Sequence, residues 1–195
     1  GKLTRVTLAG TAPRTLCDSA LFVGSWGEDG FIYFTNARLG VSRVPAAGGA
    51  PETLTELSLS AATEVHALPS VLPSGKAVLF TFIGSLATDA QSEIRSLDLK
   101  TRKVTSLVRG FSPSYIDGRL VFATSGGGLV QVAFDEDRLE ITGNPEAITT
   151  GVASFNGLAN VHLSRTGTLL YQLGPGSSVD GSRISVVGRN GAATP

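Results

Sequence analysis

The sequence predicts an all-β fold, a β-propeller of four-stranded antiparallel blades present only in part, on two observations. The first is composition: 24 of the 195 residues are Gly, 42% are hydrophobic and 16% are charged. That balance means a packed core interrupted by many tight turns, and it excludes a chain disordered over most of its length. The second is a period. A turn ending in Gly precedes an apolar run capped by an aromatic residue: Glu28-Asp29-Gly30 before Phe31-Ile32-Tyr33-Phe34, Pro73-Ser74-Gly75 before Ala77-Val78-Leu79-Phe80, Ile116-Asp117-Gly118 before Leu120-Val121-Phe122, and Arg165-Thr166-Gly167 before Leu169-Leu170-Tyr171. These glycines are spaced by 45, 43 and 49 residues, the length of one four-stranded blade.

The elements of a blade follow in chain order. Its first strand enters ahead of the Gly turn, where Gly takes positive φ without a Cβ clash and a preceding Asp or Ser bonds nearby backbone. The aromatic-capped run is the second strand. The third has apolar ends with mostly polar residues between them: Leu3-Thr4-Arg5-Val6, Val41-Ser42-Arg43-Val44, Ile94-Arg95-Ser96-Leu97, Leu129-Val130-Gln131-Val132 and Ile184-Ser185-Val186-Val187. The fourth follows a turn: Ala12-Pro13-Arg14-Thr15-Leu16, Ala50-Pro51-Glu52-Thr53-Leu54, Lys103-Val104-Thr105-Ser106-Leu107 and Asn144-Pro145-Glu146-Ala147-Ile148. Pro in most of these copies marks the outermost strand, because an edge tolerates a missing N–H that an inner strand does not.

Laid end to end, residues 1–18 supply the third and fourth strands of one blade, 19–57 a whole blade, 66–109 a second and 111–150 a third. Residues 157–195 supply three strands and the start of a fourth, giving about four and a half blades in one domain over 1–195. The unmatched third strand at the N-terminal side leads to the expectation of a segment of a longer propeller. A chain that begins with Gly and contains no Met agrees with that expectation. Ser58 to His66 is the one stretch compatible with a helical turn or two, or with a long loop between blades.

Charge and residue counts narrow the function. Lys and Arg total 16 against 16 Asp and Glu, which removes the cationic field that nonspecific nucleic-acid binding and anionic membranes rely on. No apolar run reaches the roughly 20 residues of a membrane span. Cys17, the single cysteine, makes no internal disulfide, and His66 and His162 are too few for a histidine- or thiolate-based zinc site.

Three segments, His66-Ala-Leu-Pro69-Ser-Val-Leu72-Pro73-Ser-Gly75-Lys-Ala-Val-Leu-Phe80-Thr81, Phe134-Asp135-Glu-Asp-Arg138-Leu139-Glu-Ile-Thr-Gly143-Asn-Pro145 and Gly167-Thr-Leu-Leu-Tyr171, resemble the TolB-like β-propeller repeats. The nearest form is the propeller found behind a kinase domain and membrane span in bacterial serine/threonine protein kinases. The family often has Trp and Asp where this chain has Val187 and Gly188. The resemblance implies a non-catalytic sensor or scaffold module of a bacterial signalling or envelope protein, displayed on the extracytoplasmic or periplasmic side. The alternative it implies is the gating propeller of a prolyl-oligopeptidase-like serine peptidase.

No segment carries a catalytic motif in full. Gly24-Ser25-Trp26-Gly27 departs from the Gly-x-Ser-x-Gly elbow at Val23 and precedes a hairpin, not a helix. Asp135, Asp137 and Glu140 are too few oxygen ligands for calcium, and Gly126-Gly127-Gly128 lacks the Lys and Ser/Thr of a phosphate loop. Arg5, Arg43 and Arg95 read as a solvated blade face, and a histidine in a first strand reads as bonding a neighbouring blade's backbone. Trp26, Tyr33, Phe34, Phe80, Phe122 and Tyr171 are assigned to the core between blades. No catalytic residue, cofactor or metal is therefore expected.

Loop length points to one face instead. The long connections, Glu56 to Val65, Gly84 to Ser92 and Gly174 to Ser182, join fourth to first or second to third strands. They emerge together around the mouth of a central channel, where rigid scaffolds carry binding residues. The candidate partner-binding residues are Ser58, Ser60, Thr63, Glu64, Ser85, Thr88, Asp89, Ser177, Ser178 and Asp180. The expected partner is a protein or a small ligand, with self-association through apolar end blades.

Overall fold

A computed structural model describes residues 1–10, 12–22, 24–58, 64–84, 91–155, 157–164, 166–174, 184–187 and 193–194, the last two by backbone pairing. Among these residues there is no α-helix. β1 (Leu3–Arg5) and β2 (Arg14–Cys17) form an antiparallel pair. Sheet I contains β3 (Ser25–Trp26), β4 (Phe31–Thr35), β5 (Val41–Pro45) and β6 (Glu52–Thr53). Sheet II contains β7 (Val65–Val71), β8 (Ala77–Ile83), β9 (Ser92–Asp98) and β10 (Val104–Arg109). Sheet III contains β11 (Phe111–Ile116), β12 (Arg119–Ala123) and β13 (Leu129–Asp135), with β14 (Glu140–Ile141) and β15 (Glu146–Thr149) both paired to β13. A small hairpin, β16 (Ser154–Phe155) and β17 (Leu158–Ala159), precedes sheet IV, which contains β18 (Val161–Leu163), β19 (Leu169–Gln172), β20 (Ile184–Val187) and β21 (Ala193–Thr194). Within sheets I, II and IV strand order equals chain order, and every pairing is antiparallel. The fold is a partial β-propeller.

The Gly turns do what their residues dictate. In the β3–β4 turn Asp29 Oδ1 accepts the Phe31 N–H, and Tyr33 O–H donates to Asp29 Oδ2 at 2.5 Å. Burial and that bond push the Tyr33 hydroxyl up to about 12. Gly30, Gly75, Gly118 and Gly167 all have positive φ, which an L side chain would resist.

Apolar side chains of the second and third strands fill the spaces between sheets. Tyr33, Val41 and Leu54 of sheet I meet Val78, Phe80 and Leu97 of sheet II. Leu79 and Ile94 meet Leu120, Phe122, Val132 and Phe134 of sheet III. Phe111, Val121 and Leu129 meet Leu169 and Tyr171 of sheet IV. Burying each aromatic ring contributes about 2–3 kcal/mol relative to leaving it in water. Polar contacts then fix one sheet on the next: Thr35 Oγ1 donates to the His66 carbonyl at 3.1 Å, and the Ser112 N–H donates to Thr81 Oγ1 at 3.0 Å. Thr35 and Thr81 hold the same place, one residue after the aromatic caps Phe34 and Phe80.

Several expectations are corrected. Val65 and His66 open β7, so no helix includes them, and the intervening residues 59–63 lie outside the described residues. Trp26 is not core but 58% exposed, while the other five aromatics assigned to the core are buried. Arg43 and Arg95 do not lie on a solvated face: each covers an aromatic ring, Phe31 at 4.3 Å and Phe82 at 3.4 Å, where the ring's quadrupole attracts the guanidinium. Arg5 donates to the Ala46 carbonyl. Beside these corrections, Asp135 closes a turn, its Oδ1 accepting the N–H groups of Asp137 and Arg138.

Candidate functional site: a central channel

The first strands of sheets I to IV converge on one cavity. Their register places four residues at the same level: Ser25 lies opposite Tyr33, Ser70 opposite Leu79, Ser114 opposite Val121 and His162 opposite Leu170. Together with Gly24, Pro69, Pro113 and Ala159 they line a space of about 410 Å³. A second space of about 370 Å³ continues it towards the Gly turns, lined by Trp26, Glu28, Leu72, Tyr115, Asp117 and Ser164 among others. Burial, together with the charge of Glu136, holds the Tyr115 hydroxyl above its ordinary range.

Two bulges shape the wall. Pairing of β7 with β8 slips between Ala67 and Ser70, and pairing of β11 with β12 slips between Phe111 and Ser114. At each slip a residue with positive φ precedes Pro: Leu68 at 51° and Ser112 at 55°. A non-Gly residue held there costs about 1–3 kcal/mol, and such strain with bulging is concentrated where side chains are re-aimed for a site. Pro supplies no N–H, so the bulge forfeits little of the ladder. Hydroxyls also bridge the sheets: Ser25 Oγ accepts the Val71 N–H at 3.2 Å, and Ser112 Oγ, at the β11 bulge, accepts the Ala159 N–H at 2.9 Å. Each hydroxyl keeps a proton to donate. The wall thus presents serine hydroxyls and one imidazole, a surface suited to hydrogen-bonding a polar ligand.

Sequence reasoning passed over this ring. The signal was present, as Leu68-Pro69-Ser70 and Ser112-Pro113-Ser114 repeat the same x-Pro-Ser step at the entry of two blades.

Of the loop residues expected to bind a partner, Ser60, Thr63, Ser85, Thr88, Asp89, Ser177, Ser178 and Asp180 lie outside the described residues. Ser58 and Glu64 are described and brought together, the Ser58 N–H donating to Glu64 Oε2 at 3.2 Å. Glu64 does not stand on the lip but turns inward. Its Oε1 lies 2.9 Å from His66 Nε2, and His66 Nδ1 lies 2.8 Å from Thr55 Oγ1, which also accepts the Val41 N–H. One tautomer satisfies every atom: Thr55 O–H donates to Nδ1, and Nε2–H donates to the Glu64 carboxylate. Burial outweighs the pull of Glu64 and lowers the His66 pKa, favouring this neutral ring.

Thr55, His66 and Glu64 are arranged like a nucleophile, base and orienting acid. They expose only 5%, 4% and 8% of their surface, and His66 is sandwiched near Phe80 and Phe82. The relay is a sealed clasp between the segment after β6 and β7. His66 reaches its neighbour's backbone through its own main chain, donating to the Leu39 carbonyl, rather than through its ring. Among the described residues no group of three or more His, Cys, Asp or Glu is placed to hold a metal ion.

No protein-family model matches the chain, and no curated protein does. Solved structures do match. TolB from Acinetobacter baumannii is similar over 97% of this chain and 46% of its own, at 21% identity and a TM-score of 0.69. A putative TolB from Agrobacterium tumefaciens is similar over 100% of this chain and 73% of its own, at 19% identity and a TM-score of 0.70. A calcium-binding protein, regucalcin, from the same organism matches over 100% of this chain and 65% of its own, at 17% identity and a TM-score of 0.69. The likeness is one of fold: the chain spans about half of the first of these and shares with them the β-propeller fold in part.

Proposed function

We propose that the chain is a non-catalytic binding module that takes a small polar ligand, or a polar segment of a protein partner, in the channel. The observation that carries this reading is the ring of Ser25, Ser70, Ser114 and His162 at one level of a cavity whose wall is bulged at two successive strands. The β7 bulge lies within its strand and the β11 bulge at the start of its own, so both stand directly before Ser70 and Ser114 of the ring. The resemblance to kinase-linked propellers extends the proposal to a sensor unit of a bacterial signalling protein on the extracytoplasmic side.

The test is a thermal-shift screen of sugars, amino acids, nucleosides and short peptides at millimolar concentration. Each is run against the chain and against a Ser70→Arg, Ser114→Arg double variant, which fills the channel. Compounds that raise Tm in the chain and bind the filled variant at least tenfold more weakly support the proposal. Compounds that bind both equally, or a screen with no hits, overturn the channel as the site.

A further inference from the structure

The chamber at the level of the ring offers hydrogen-bond donors and no negative charge. Four hydroxyls line it, those of Ser25, Ser70, Ser112 and Ser114, together with the imidazole of His162. Two of these hydroxyls have their oxygen engaged, Ser25 Oγ by the Val71 N–H and Ser112 Oγ by the Ala159 N–H. Accepting an amide proton leaves each with an O–H to give, and polarises it in the direction of giving. The remaining described residues of the lining are glycine, proline or aliphatic, so His162 is the one titratable group among them. Facing it across the chamber are Ser25 from β3, Ser70 from β7 and Ser112 and Ser114 from β11, and Leu170 stands opposite it on β19. The acids of the channel, Glu28 and Asp117, line the adjoining space by the Gly turns instead.

We propose that this chamber takes a carboxylate of the channel's ligand, and that the charge on His162 sets how tightly. The assignment rests on the channel being the binding site, and it names what that site selects. An ionised carboxylate only accepts hydrogen bonds, so it matches hydroxyls with a proton to give and an imidazole N–H. A neutral amide also accepts from these groups, but it gains nothing from a charge. On acidification the imidazole gains a positive charge and a second N–H, and inside a cavity its attraction for an anion exceeds that in open water. Glu28 and Asp117 repel an anion from the other end. The carboxylate is therefore held at the ring, with the rest of the ligand extending towards the Gly turns.

The probes are N-acetylglycine, whose carboxyl stays ionised from about pH 5.5 to about pH 7.5, and its neutral amide, N-acetylglycinamide. Binding is followed by the ring-proton NMR signal of His162, told from that of His66, the only other histidine, by its loss in His162→Gln. The acid is expected to shift that signal saturably and to bind about fivefold more tightly at about pH 5.5 than at about pH 7.5, the worth of a partly exposed charge pair. The amide is expected to change by less than about twofold. By calorimetry, His162→Gln is expected to keep weaker binding of the acid through the hydroxyls and to lose its pH dependence, with circular dichroism at both pH values checking the fold. An equal pH response of acid and amide, a pH dependence kept in His162→Gln, or no binding of the acid overturns the proposal. A Ser70→Leu, Ser114→Leu variant fills the channel without adding a cation that would itself attract the acid. Neutral compounds that the chain binds and this variant rejects, with no advantage for the acid, leave the channel as a binding site and remove only the carboxylate. Acid that binds the filled variant as tightly as the chain removes both readings.

Discussion

The two faces of sheet I are made from the same strands and end in different states. Towards sheet II, Tyr33 and Val41 are sealed, Thr35 bonds the His66 carbonyl, and the relay of Thr55, His66 and Glu64 closes the connection. Towards β1 and β2, Ile32, Phe34 and Val44 are sealed while Trp26 stands open. The difference teaches that an inter-blade interface has two separable halves. The outer half forms against the neighbour's third and fourth strands and needs only a partial neighbour. The inner half needs the neighbour's own inner strands.

The largest expected effect lies on the finished face. Phe80→Ala removes a fully buried ring between sheets I and II and should cost about 3–5 kcal/mol in urea unfolding, through lost transfer energy and the cavity left behind. A loss below about 1.5 kcal/mol would mean that this interface relaxes as an open one does, and the contrast would fail. Thr81→Val comes next. Thr81 is buried and its Oγ1 accepts the Ser112 N–H, so the variant leaves that amide without its acceptor. The expected cost is about 1–3 kcal/mol, with faster hydrogen exchange at Ser112. Unchanged exchange there would show that the clasp contributes nothing to joining the sheets.

The relay gives the finished face a pH dependence. His66 titrates near 6.5 when unfolded, and burial puts its folded value lower. Between the two values the unfolded chain binds more protons. The contribution to stability is therefore complete above pH 6.5 and is lost as pH falls through that value towards the folded one. Urea midpoints across this range should fall with acidification, and His66→Gln should flatten the fall. A midpoint that rises on acidification, or an equal slope in the variant, would refute the neutral buried ring.

How much of this was legible in the sequence depends on whether the signal was local. The Gly turns, aromatic caps and edge prolines repeat within one blade, so the fold and most of the core could be read directly. The channel ring could not, because Ser25, Ser70, Ser114 and His162 become neighbours only when four first strands converge. The bulges that precede Ser70 and Ser114 replace a ladder pair with a strained Leu68 or Ser112, which periodicity does not register. Trp26 was misread for the opposite reason. Its equivalents Val71, Tyr115 and Leu163 pack against the preceding sheet, whereas among the described residues no inner strand lies beside β1 to cover it. Glu64 sits in a polar, loop-like stretch, and nothing local announces that His66 draws it inward.

The smallest expected effect is the sharpest test of the contrast. Trp26→Ala deletes the largest side chain in the repertoire from a register position whose equivalents Val71, Tyr115 and Leu163 pack against a neighbouring sheet. If register position set the energy, the loss would approach that of Phe80→Ala. Because most of the indole already faces water, little transfer energy remains to lose. The expected change is within about 0.5 kcal/mol, that of an ordinary surface substitution. Tyr115→Ala, at the equivalent place under a complete neighbour, should cost several times more, since its ring packs edge-on to Phe134 with centroids 6.1 Å apart. Equal losses at Trp26 and Tyr115 in parallel urea titrations would mean that the open half of the first interface is already covered in solution. An unequal pair locates the missing stabilisation in the neighbour's inner strands.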